Sequence, residues 1–492
     1  MMVASLYTGT TIERVTLLNI QAASSSALDV SSALVYKNRK YLWGLLIAAA
    51  LSFLTTLNLP YQGEEAIYTI ASMEMAFYRD WITPTVYGAN YGKPPFFNWL
   101  MLPFGSYFGW QHILVIARLI TLFVTVGTAL GLMWFVKRIF QHQALALVSG
   151  IVYLSGDVLF RRGWLAYSDP LFSFFAFGAM ALLWVAVLEK NRFFLMLSLI
   201  SVIAAFLTKA YTSYVFYAAV WFVLAFSREN RKFLLQASNI GLQAIVFLFP
   251  IIWYLKVSQG AHGSVMLSDI TTRFQLGNVF SYGLKVAFFP LDIFLRWLPV
   301  TALLLYFCWE KINLNTFKII HNEKIRILLS ILLLNLLPYW VAPEMHARYL
   351  LPLYPFIAIS LAYGMLSSLE EKKIKVIFWI LAGMVVIRFA LGLWGFPYYE
   401  RHYRGDYEAV AEDVLSIVKD APLYADDGNF PAINITAMID AKLLPKAILV
   451  RPAFGKRPGG YFLTKTNEIK NTTVKKVYYL GRHPLYLLER KD

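Results

Sequence analysis

The segment "YLWGLLIAAALSFLTTLNLPYQGEEAIYTIA" (residues 41–71) decides how the rest of the chain is interpreted. Its first part, 41–60, is almost entirely apolar and has the length that a helix needs to cross a bilayer. Two adjacent carboxylates, Glu64 and Glu65, follow directly. A carboxylate at the edge of a membrane is costly unless it is solvated or paired, so both are candidates for a function.

The composition of the whole chain indicates a polytopic α-helical membrane protein. Of its 492 residues, 58% are hydrophobic and 15% are charged, whereas soluble proteins carry about 25% charged residues. The apolar residues come in long blocks, which predict a membrane domain of about 11–13 transmembrane helices. Blocks of this kind lie at 41–59, 112–136, 144–160, 171–188, 193–208, 212–226, 237–256, 291–309, 327–342, 349–367 and 376–396.

Cationic clusters predict the orientation of these helices. The net charge is +16, and clusters such as "KNRK" (37–40), "RENRK" (228–232) and "EEKKIK" (370–375) recur after every second apolar block. Lysine and arginine accumulate in cytoplasmic loops, so this charge reflects membrane topology and argues against nucleic-acid binding. The pattern predicts a cytoplasmic N-terminus and, after an odd number of helices, a C-terminus on the outer face.

The segments outside the helices predict three regions. Residues 1–36 are rich in serine and alanine and are expected to be a disordered cytoplasmic leader, followed by the membrane domain, 37–397. Its first outer loop, 60–111, is expected to carry interfacial juxtamembrane helices, one with apolar side chains at helical spacing from Ile67 to Tyr78 and one after Pro94–Pro95. Residues 398–492 predict a small outer α/β domain. Its helix is expected at 406–420 and its strands at 422–425, 446–451, 460–464, 475–480 and 485–488, while 257–290 is expected to be an outer connection.

Charged residues on the outer side are few, and each has a structural alternative. Acidic residues such as Glu64 and Glu65 favour the start of a helix through its dipole. Asp169, followed by Pro170, fits a helix N-cap. Lysines at the ends of membrane helices extend their ammonium groups to the headgroups. The cationic and aromatic candidates on this side are Lys93, Arg162, Lys209, Arg273, Arg348 and Tyr349.

Taken together, these residue types predict phosphate chemistry at the membrane edge. Lysine and arginine bind phosphate, and a carboxylate serves as a general base or as an electrostatic partner. Several of the residues lie within one or two positions of a predicted helix end, where a bundle brings them close together. An anion held beside a base at this position is typical of chemistry on a lipid-linked phosphate.

Five short motifs occur in a characteristic order. Within "GEEAIYTIASMEMAFYRDWITPTVYGANYGKPPFFNWL" (63–100) they are "RDWITP" (79–84) and "GKPPFF" (92–97), followed by "YSDPLFSFF" (167–175), "AFLTKAY" (205–211) and "HARYLLPLYP" (346–355). This order resembles the polyprenyl-phosphate-dependent membrane glycosyltransferases, which include the protein O-mannosyltransferases and the aminoarabinose transferase that modifies lipid A. The resemblance covers roughly 41–367 and implies the C-type glycosyltransferase fold.

The resemblance also implies a reaction and a set of site residues. A sugar is expected to move, with inversion, from a polyprenyl-phosphate donor to a lipid, glycan or protein acceptor at the periplasmic face of a bacterial inner membrane. By motif position, Glu64, Glu65 and Asp169 are the expected catalytic carboxylates. The protein is expected to act as a monomer among membrane lipids, in lipid A or cell-envelope modification. The residues expected to bind the donor phosphate are Lys93, Arg162, Lys209, Arg273, Arg348 and Tyr349.

Two departures from the family pattern bear on the chemistry. Glu64 stands where an aspartate is usual, which moves the carboxylate outward by one methylene, and small displacements of a reacting group are costly. Gly92 stands where the aminoarabinose branch has a glutamate that helps hold a metal. The matching histidine is also not evident, since "SDITTRF" (268–274) offers Asp269 instead. We therefore expect no metal and no other cofactor.

Two alternatives from other functional classes stay open. A transporter or flippase would bind a lipid phosphate and move it without chemistry, although the internal repeats typical of transporters are not evident in the sequence. A catalytically inactive family member would bind the donor as a scaffold, and the glutamate at position 64 is the feature that favours this alternative.

Overall fold

The computed structural model describes residues 32–209, 211–257, 279–309, 322–343, 347–425, 430–448, 459–469, 471–481 and 483–490. Most of the predicted disordered leader, 1–31, lies outside these residues. The prediction is wrong for its last part, because 32–37 are helical. Leu34 and Val35 pack into the hydrophobic core, and this burial stabilises the segment as a helix.

The first half of the chain is a series of helices interrupted by one short hairpin. The hairpin consists of β1 (Thr85–Val86) and β2 (Ala89–Asn90), which pair antiparallel between the second and third helices. The helices are α1 (Arg39–Leu51, continued by the 3₁₀ segment Ser52–Thr56), α2 (Glu65–Tyr78), α3 (Phe96–Phe108), α4 (Ile113–Phe140), α5 (Gln143–Leu154), α6 (Asp157–Arg162), α7 (Ser168–Glu189), α8 (Arg192–Lys209) and α9 (Thr212–Ala225).

The second half of the membrane domain continues this pattern. Its helices are α10 (Arg228–Leu234), α11 (Ala237–Val257), α12 (Val279–Leu295), α13 (Val300–Cys308), α14 (Glu323–Val341), α15 (Tyr354–Ser368, preceded by the 3₁₀ segment Ala347–Leu353) and α16 (Glu371–Ala390). Helix α16 runs on to Arg404 through two π-helical segments, Leu391–Gly395 and Glu400–Arg404, which flank the α-helical turn Phe396–Tyr399. It is therefore longer than the predicted 376–396.

Seven helical segments in the described part of the chain are long and apolar enough to cross a membrane. They are Trp110–Phe140, α7, α8, α11, α14, Arg348–Ser368 and Glu371–Arg404. The pair α12 and α13 is bent by 92° and makes an eighth if it forms one span, while α5 and α9 are shorter apolar helices. The predicted all-helical membrane domain is confirmed, and the predicted number of 11–13 spans stays a prediction.

The core of the helical bundle lies where α4, α7 and α15 meet. The rings of Phe135, Phe177 and Phe356, one from each helix, pack edge to face with centroids 5.3–6.1 Å apart. This is the geometry that aromatic rings prefer in protein interiors. The three helices therefore form the packed centre of the bundle.

The predicted outer connection at 257–290 is wrong over 279–290, where α12 lies. Lys285 and Pro290 interrupt the apolar run in the sequence and hide the helix. In the structure the Lys285 ammonium donates to the backbone carbonyls of Ala342 and Pro343, at the end of α14. These bonds satisfy the charge, so the helix accommodates it.

Helix α2 forms as predicted, but it is buried inside the protein instead of lying on its surface. Ala66, Ile70, Ala71 and Met73 are all fully buried, and they do not share one narrow face. A helix buried on most of its circumference has neighbours on several sides. Those neighbours are α3, α4 and a helix of the C-terminal domain, and the helix expected after Pro94–Pro95 is confirmed as α3.

The C-terminal domain is a small α/β unit, as predicted. It contains α17 (Tyr407–Val418), β3 (Leu423–Ala425), α18 (Phe430–Leu443), β4 (Gly460–Thr464), β5 (Thr472–Leu480) and β6 (His483–Arg490). The strand order is β3-β4-β6-β5, with β3 and β4 parallel and the other pairs antiparallel. No strand forms at 446–448, and the rest of the strand predicted at 446–451 lies outside the described residues.

Two hydrogen-bonding contacts join this domain to the segments on either side of α2. The Tyr87 hydroxyl, in the hairpin, and the Thr436 hydroxyl, in α18, lie 2.5 Å apart. The Asn434 amide donates to the backbone carbonyl of Tyr61, just before α2, at 3.4 Å. The C-terminal domain therefore covers α2 and the hairpin that follows it.

Candidate active site

Glu64 is the N-cap residue of α2, and its carboxylate faces Arg348 of the 3₁₀ segment before α15. Arg348 Nη1 donates to Oε1 at 3.1 Å and to Oε2 at 3.3 Å. The side chains of Glu64 and Arg348 are 27% and 21% exposed, so a substrate can reach the pair. The Glu64 carboxylate makes no capping hydrogen bond to α2, so capping does not account for its contacts.

Glu65 lies in a different environment, and its surroundings do not fit the expected catalytic role. Its side chain is fully buried and forms an ion pair with Arg118 of α4, with Nε–Oε1 and Nη2–Oε2 distances of 2.9 and 2.6 Å. The backbone N–H groups of Ala166 and Gln62 donate to the same carboxylate at 2.8 and 2.7 Å. With these four hydrogen bonds made, Glu65 has little capacity left for a substrate.

Arg118 is a structural residue that the sequence analysis missed. Besides binding Glu65, it donates to the backbone carbonyls of Leu57, Leu59 and Pro60 at 2.9, 2.5 and 2.9 Å. These carbonyls follow α1 and belong to the segment that leads into α2. The signal was present in the sequence, because a charge inside an apolar block calls for a partner.

Asp169 and Lys209 form a second ion pair, between the first turn of α7 and the last residue of α8. The N-cap residue of α7 is Tyr167, so the alternative that Asp169 caps this helix is wrong. Asp169 is buried, and Lys209 also lies over the Tyr349 ring at 4.5 Å from its centroid. The pair therefore joins two helix ends and brings Tyr349 next to them.

Lys93 lies among tyrosines. Its Nζ donates to the hydroxyls of Tyr91 and Tyr68 at 2.9 and 3.2 Å and lies about 5 Å above both rings. Burial alone would lower the pKa of the Lys93 ammonium, but the two phenol oxygens and the Glu64 carboxylate raise it well above its usual value. The two hydroxyls therefore hold Lys93 in place and favour its charged form.

The charged side chains described so far, apart from Glu65 and Arg118, lie close enough together to influence one another. Lys209, Arg348 and Lys93 all lie close enough to Asp169 to act on its charge, and Glu64 acts on Lys93 in the same way. The structure thus brings together Glu64, Asp169, Lys93, Lys209, Arg348 and Tyr349, as the motifs predict. Arg273 lies outside the described residues.

Arg162 lies near this group, at the end of α6. Its guanidinium stacks over the Tyr167 ring at 4.7 Å, and the Tyr167 hydroxyl accepts a hydrogen bond from the Glu64 N–H at 2.9 Å. Arg162 Nη1 and Arg348 Nε are both buried without a hydrogen-bond partner among the described residues. Buried N–H groups of this kind require an acceptor, and a bound anion supplies one.

The residues around Lys93 do not fit a metal site of the family type. Gly92 supplies no ligand, and its φ of 71° is a conformation that favours glycine over a side-chain-bearing ligand such as glutamate. Among the described residues, no group of three histidine, cysteine, aspartate or glutamate side chains is arranged to hold a metal ion.

Sequence comparison finds relatives for part of the chain, and no family model matches it. The undecaprenyl phosphate-alpha-4-amino-4-deoxy-L-arabinose arabinosyl transferase of Erwinia tasmaniensis is 27% identical over 146 residues, which are 29% of this chain and 26% of that protein. The enzyme of the same name from Edwardsiella ictaluri is 29% identical over 129 residues, 26% of this chain and 23% of that protein. The match thus spans about a quarter of the length of these curated relatives.

Structural comparison extends the likeness to almost the whole chain. ArnT from Cupriavidus metallidurans bound to undecaprenyl phosphate superimposes with a TM-score of 0.64 at 14% identity, over 92% of this chain and 98% of that one. The apo state of ArnT gives the same TM-score at 13% identity. The resemblance predicted from the five motifs is confirmed: the chain has the fold of the polyprenyl-phosphate-dependent membrane glycosyltransferases.

Proposed function

We propose that this protein is a membrane glycosyltransferase that moves a sugar from a polyprenyl-phosphate donor to an acceptor at the outer face of the membrane. The observation that carries the proposal is the cluster of three cations, Lys93, Lys209 and Arg348, beside the carboxylates of Glu64 and Asp169. The curated relatives carry the name of an arabinosyl transferase that uses an undecaprenyl-phosphate sugar, which supports this donor class.

The cations are proposed to bind the donor phosphate. A charge-assisted hydrogen bond to phosphate is stronger than one between neutral groups, and Lys93 keeps its charge because its pKa is raised. The buried N–H groups of Arg162 and Arg348 that have no partner among the described residues are further donors. Lys209, which lies over the Tyr349 ring, is proposed to bind the phosphate together with Tyr349. These groups stabilise the negative charge that develops on the leaving phosphate. Arg273 remains a predicted member of the set.

The reaction is proposed to be a single displacement with inversion. An oxygen of the acceptor attacks the anomeric carbon, the bond from that carbon to the phosphate oxygen breaks, and polyprenyl phosphate leaves with the electron pair. Glu64 is the better candidate base for an acceptor hydroxyl, because it is partly exposed, whereas Asp169 is buried against Lys209. If the acceptor atom belongs to a phosphate, no base is needed and Glu64 positions the acceptor.

The proposed location is a bacterial inner membrane, with the N-terminus in the cytoplasm and the C-terminal domain in the periplasm. This orientation rests on the cationic clusters, which the positive-inside rule assigns to the cytoplasm. The acceptor is a lipid, glycan or protein of the envelope. One copy of the chain suffices, since it supplies every side chain named above.

The test is sugar transfer by the purified protein in lipid nanodiscs. Undecaprenyl phosphate bearing radiolabelled 4-amino-4-deoxy-L-arabinose is the first donor, and an envelope lipid extract supplies acceptors. We expect label to appear in a new product, and transfer to continue in EDTA because the cations stabilise the leaving group without a metal. Loss of transfer in EDTA, restored by a divalent metal, would refute the metal-free mechanism.

The same assay separates the proposal from its two alternatives. Binding of undecaprenyl phosphate without turnover of any donor sugar would favour an inactive scaffold. Movement of labelled undecaprenyl phosphate between the leaflets of a liposome, again without turnover, would favour a flippase. Either result would overturn the proposed transferase activity.

A further inference from the structure

Glu74 is a buried carboxylate outside the cluster described above. It lies near the end of α2 and is 3% exposed. None of the ion pairs between described residues involves Glu74. A buried charge without a cation is costly, so hydrogen bonds must stabilise it.

Those hydrogen bonds come from the hairpin that follows α2. Oε1 accepts from the Tyr87 N–H at 2.6 Å, and Oε2 accepts from the Thr85 hydroxyl at 2.6 Å and from the Gly88 N–H at 3.1 Å. Two of the three donors are therefore successive backbone N–H groups. Such a pair forms a concavity that binds an anion, and here the Glu74 carboxylate occupies it.

The turn that donates these bonds holds one residue, Tyr87, in an unfavourable backbone conformation. Tyr87 and Gly88 have φ values of 58° and 72°, as in a two-residue type I′ turn between β1 and β2. Glycine adopts this conformation freely, but a tyrosine rarely does. The Glu74 carboxylate favours it because it binds both N–H groups that the turn exposes.

The turn is connected to Lys93 by a short segment with its own hydrogen bonds. The Tyr91 N–H donates to the carbonyl of Pro84 at 3.0 Å, and the Gly92 N–H donates to Asn90 Oδ1 at 2.9 Å. Lys93 then reaches back to the Tyr68 hydroxyl on α2, six residues before Glu74. Helix α2 thus holds the loop at both ends.

We infer that Glu74 is a positioning residue for the donor-phosphate site, because its carboxylate binds the 87–88 turn and thereby holds Lys93 in place. The inference rests on the proposed function, in which Lys93 binds the donor phosphate. Glu74 acts through the hairpin and does not touch the donor itself. Thr436 holds the same turn from the C-terminal domain through the Tyr87 hydroxyl.

The test compares Glu74→Gln with wild type in nanodiscs. Glutamine keeps the size of the side chain, but it loses the charge and turns an NH₂ group toward N–H donors. We expect the Kd for undecaprenyl phosphate to rise about tenfold, as expected when a buried donor loses its acceptor. Glu74→Asp keeps a carboxylate and should recover part of the affinity. Glu468→Gln, an exposed change in the C-terminal domain, should leave Kd unchanged.

A double-mutant cycle with Lys93→Met separates positioning from a general effect on the fold. If Glu74 acts through Lys93, Glu74→Gln has no further effect on Kd once Lys93 is removed. A Kd within about twofold of wild type in Glu74→Gln would overturn the inference, since positioning errors cost more than this. A full effect of Glu74→Gln in the Lys93→Met background would also overturn it.

A milder variant covers the case in which Glu74→Gln does not fold. Thr85→Val removes only one of the three hydrogen bonds to Glu74 and should raise Kd about threefold, again only when Lys93 is present. No change, or an equal change without Lys93, would refute the inference. Wild type that fails to bind undecaprenyl phosphate would instead refute the proposed function, so the two failures are distinguishable.

Discussion

Glu64 and Glu65 are neighbours in the chain, and the structure separates their environments. Successive residues of a helix point about 100° apart, so the start of α2 turns Glu65 into the protein and Glu64 toward Arg348. Glu65 becomes half of a fully buried ion pair with Arg118, while Glu64 keeps 27% of its side chain exposed. Of the two, only Glu64 is open to solvent.

The variants Glu64→Gln and Glu65→Gln should therefore fail in different ways. We expect Glu64→Gln to lower kcat by about a hundredfold or more for a hydroxyl acceptor, the range for a lost general base, with an unchanged Tm. Glu65→Gln leaves Arg118 buried without its counter-charge and should cost about 3–5 kcal/mol of stability. Transfer assays and thermal unfolding measure the two effects, and normal turnover in Glu64→Gln would contradict its role as base.

The tyrosines around Lys93 predict a pH dependence of donor binding. Burial alone would raise the pKa of the Tyr68 phenol, but the Lys93 ammonium lowers it below its usual value. As pH rises through that pKa, a phenolate forms beside Lys93, cancels its charge and repels the phosphate. Affinity for undecaprenyl phosphate should therefore fall at a pH below about 10, where free tyrosine ionises.

Titration of the Kd in wild type and in Tyr68→Phe checks this effect. In the variant, which cannot form the phenolate, the fall should move to a higher pH. An affinity in wild type that stays constant up to a pH of about 10 would contradict the lowered pKa.

At the scale of elements, most helices were predicted within a few residues of their observed ends. Apolar runs bounded by charges are local signals, as in α8 and α11. The start of α12 was missed because Lys285 and Pro290 interrupt its run, and the acceptors that satisfy Lys285 lie at the end of α14. The burial of α2 was missed because part of its cover comes from the C-terminal domain, which is distant in the sequence.

The segment between α1 and α2 should depend on Arg118. Arg118→Met removes the bonds to four backbone carbonyls, those of Thr56, Leu57, Leu59 and Pro60, and leaves Glu65 buried without a cation. We expect a loss of about 3–5 kcal/mol and a clear drop in Tm. Arg138→Met, on the same helix, breaks an exposed pair with Glu189 and should change Tm little. Equal shifts in the two variants would contradict this assignment.

At the scale of the whole molecule, the C-terminal domain and the membrane domain meet at the candidate site. Thr436 and Asn434 of α18 contact Tyr87 and Tyr61, on either side of α2. The domain therefore lies on the same side of the membrane as Glu64 and Lys93. The side of the membrane on which the C-terminal domain lies is therefore also the side on which the proposed reaction occurs.

Fusions to reporter proteins test that orientation. Alkaline phosphatase joined after 492 should be active, because it folds in the periplasm, and green fluorescent protein at the same position should be dark. Fusions after 232, in a cationic cluster, should give the reverse. Fluorescence from the fusion after 492 would place the candidate site on the cytoplasmic side and overturn the proposed topology.

The sequence by itself determined the membrane class, the positions of most helices, the terminal α/β domain and most of the side chains that gather at the helix ends. Hydropathy, helix period and charge bias are local properties, so a single chain carries them. Only the tertiary structure decided which partner each carboxylate meets: Glu65 pairs with Arg118, Glu64 pairs with Arg348, and Glu74 accepts hydrogen bonds from the turn before Lys93. The first two pairs join residues 53 and 284 positions apart, and packing of distant helices, which no local pattern encodes, sets their geometry.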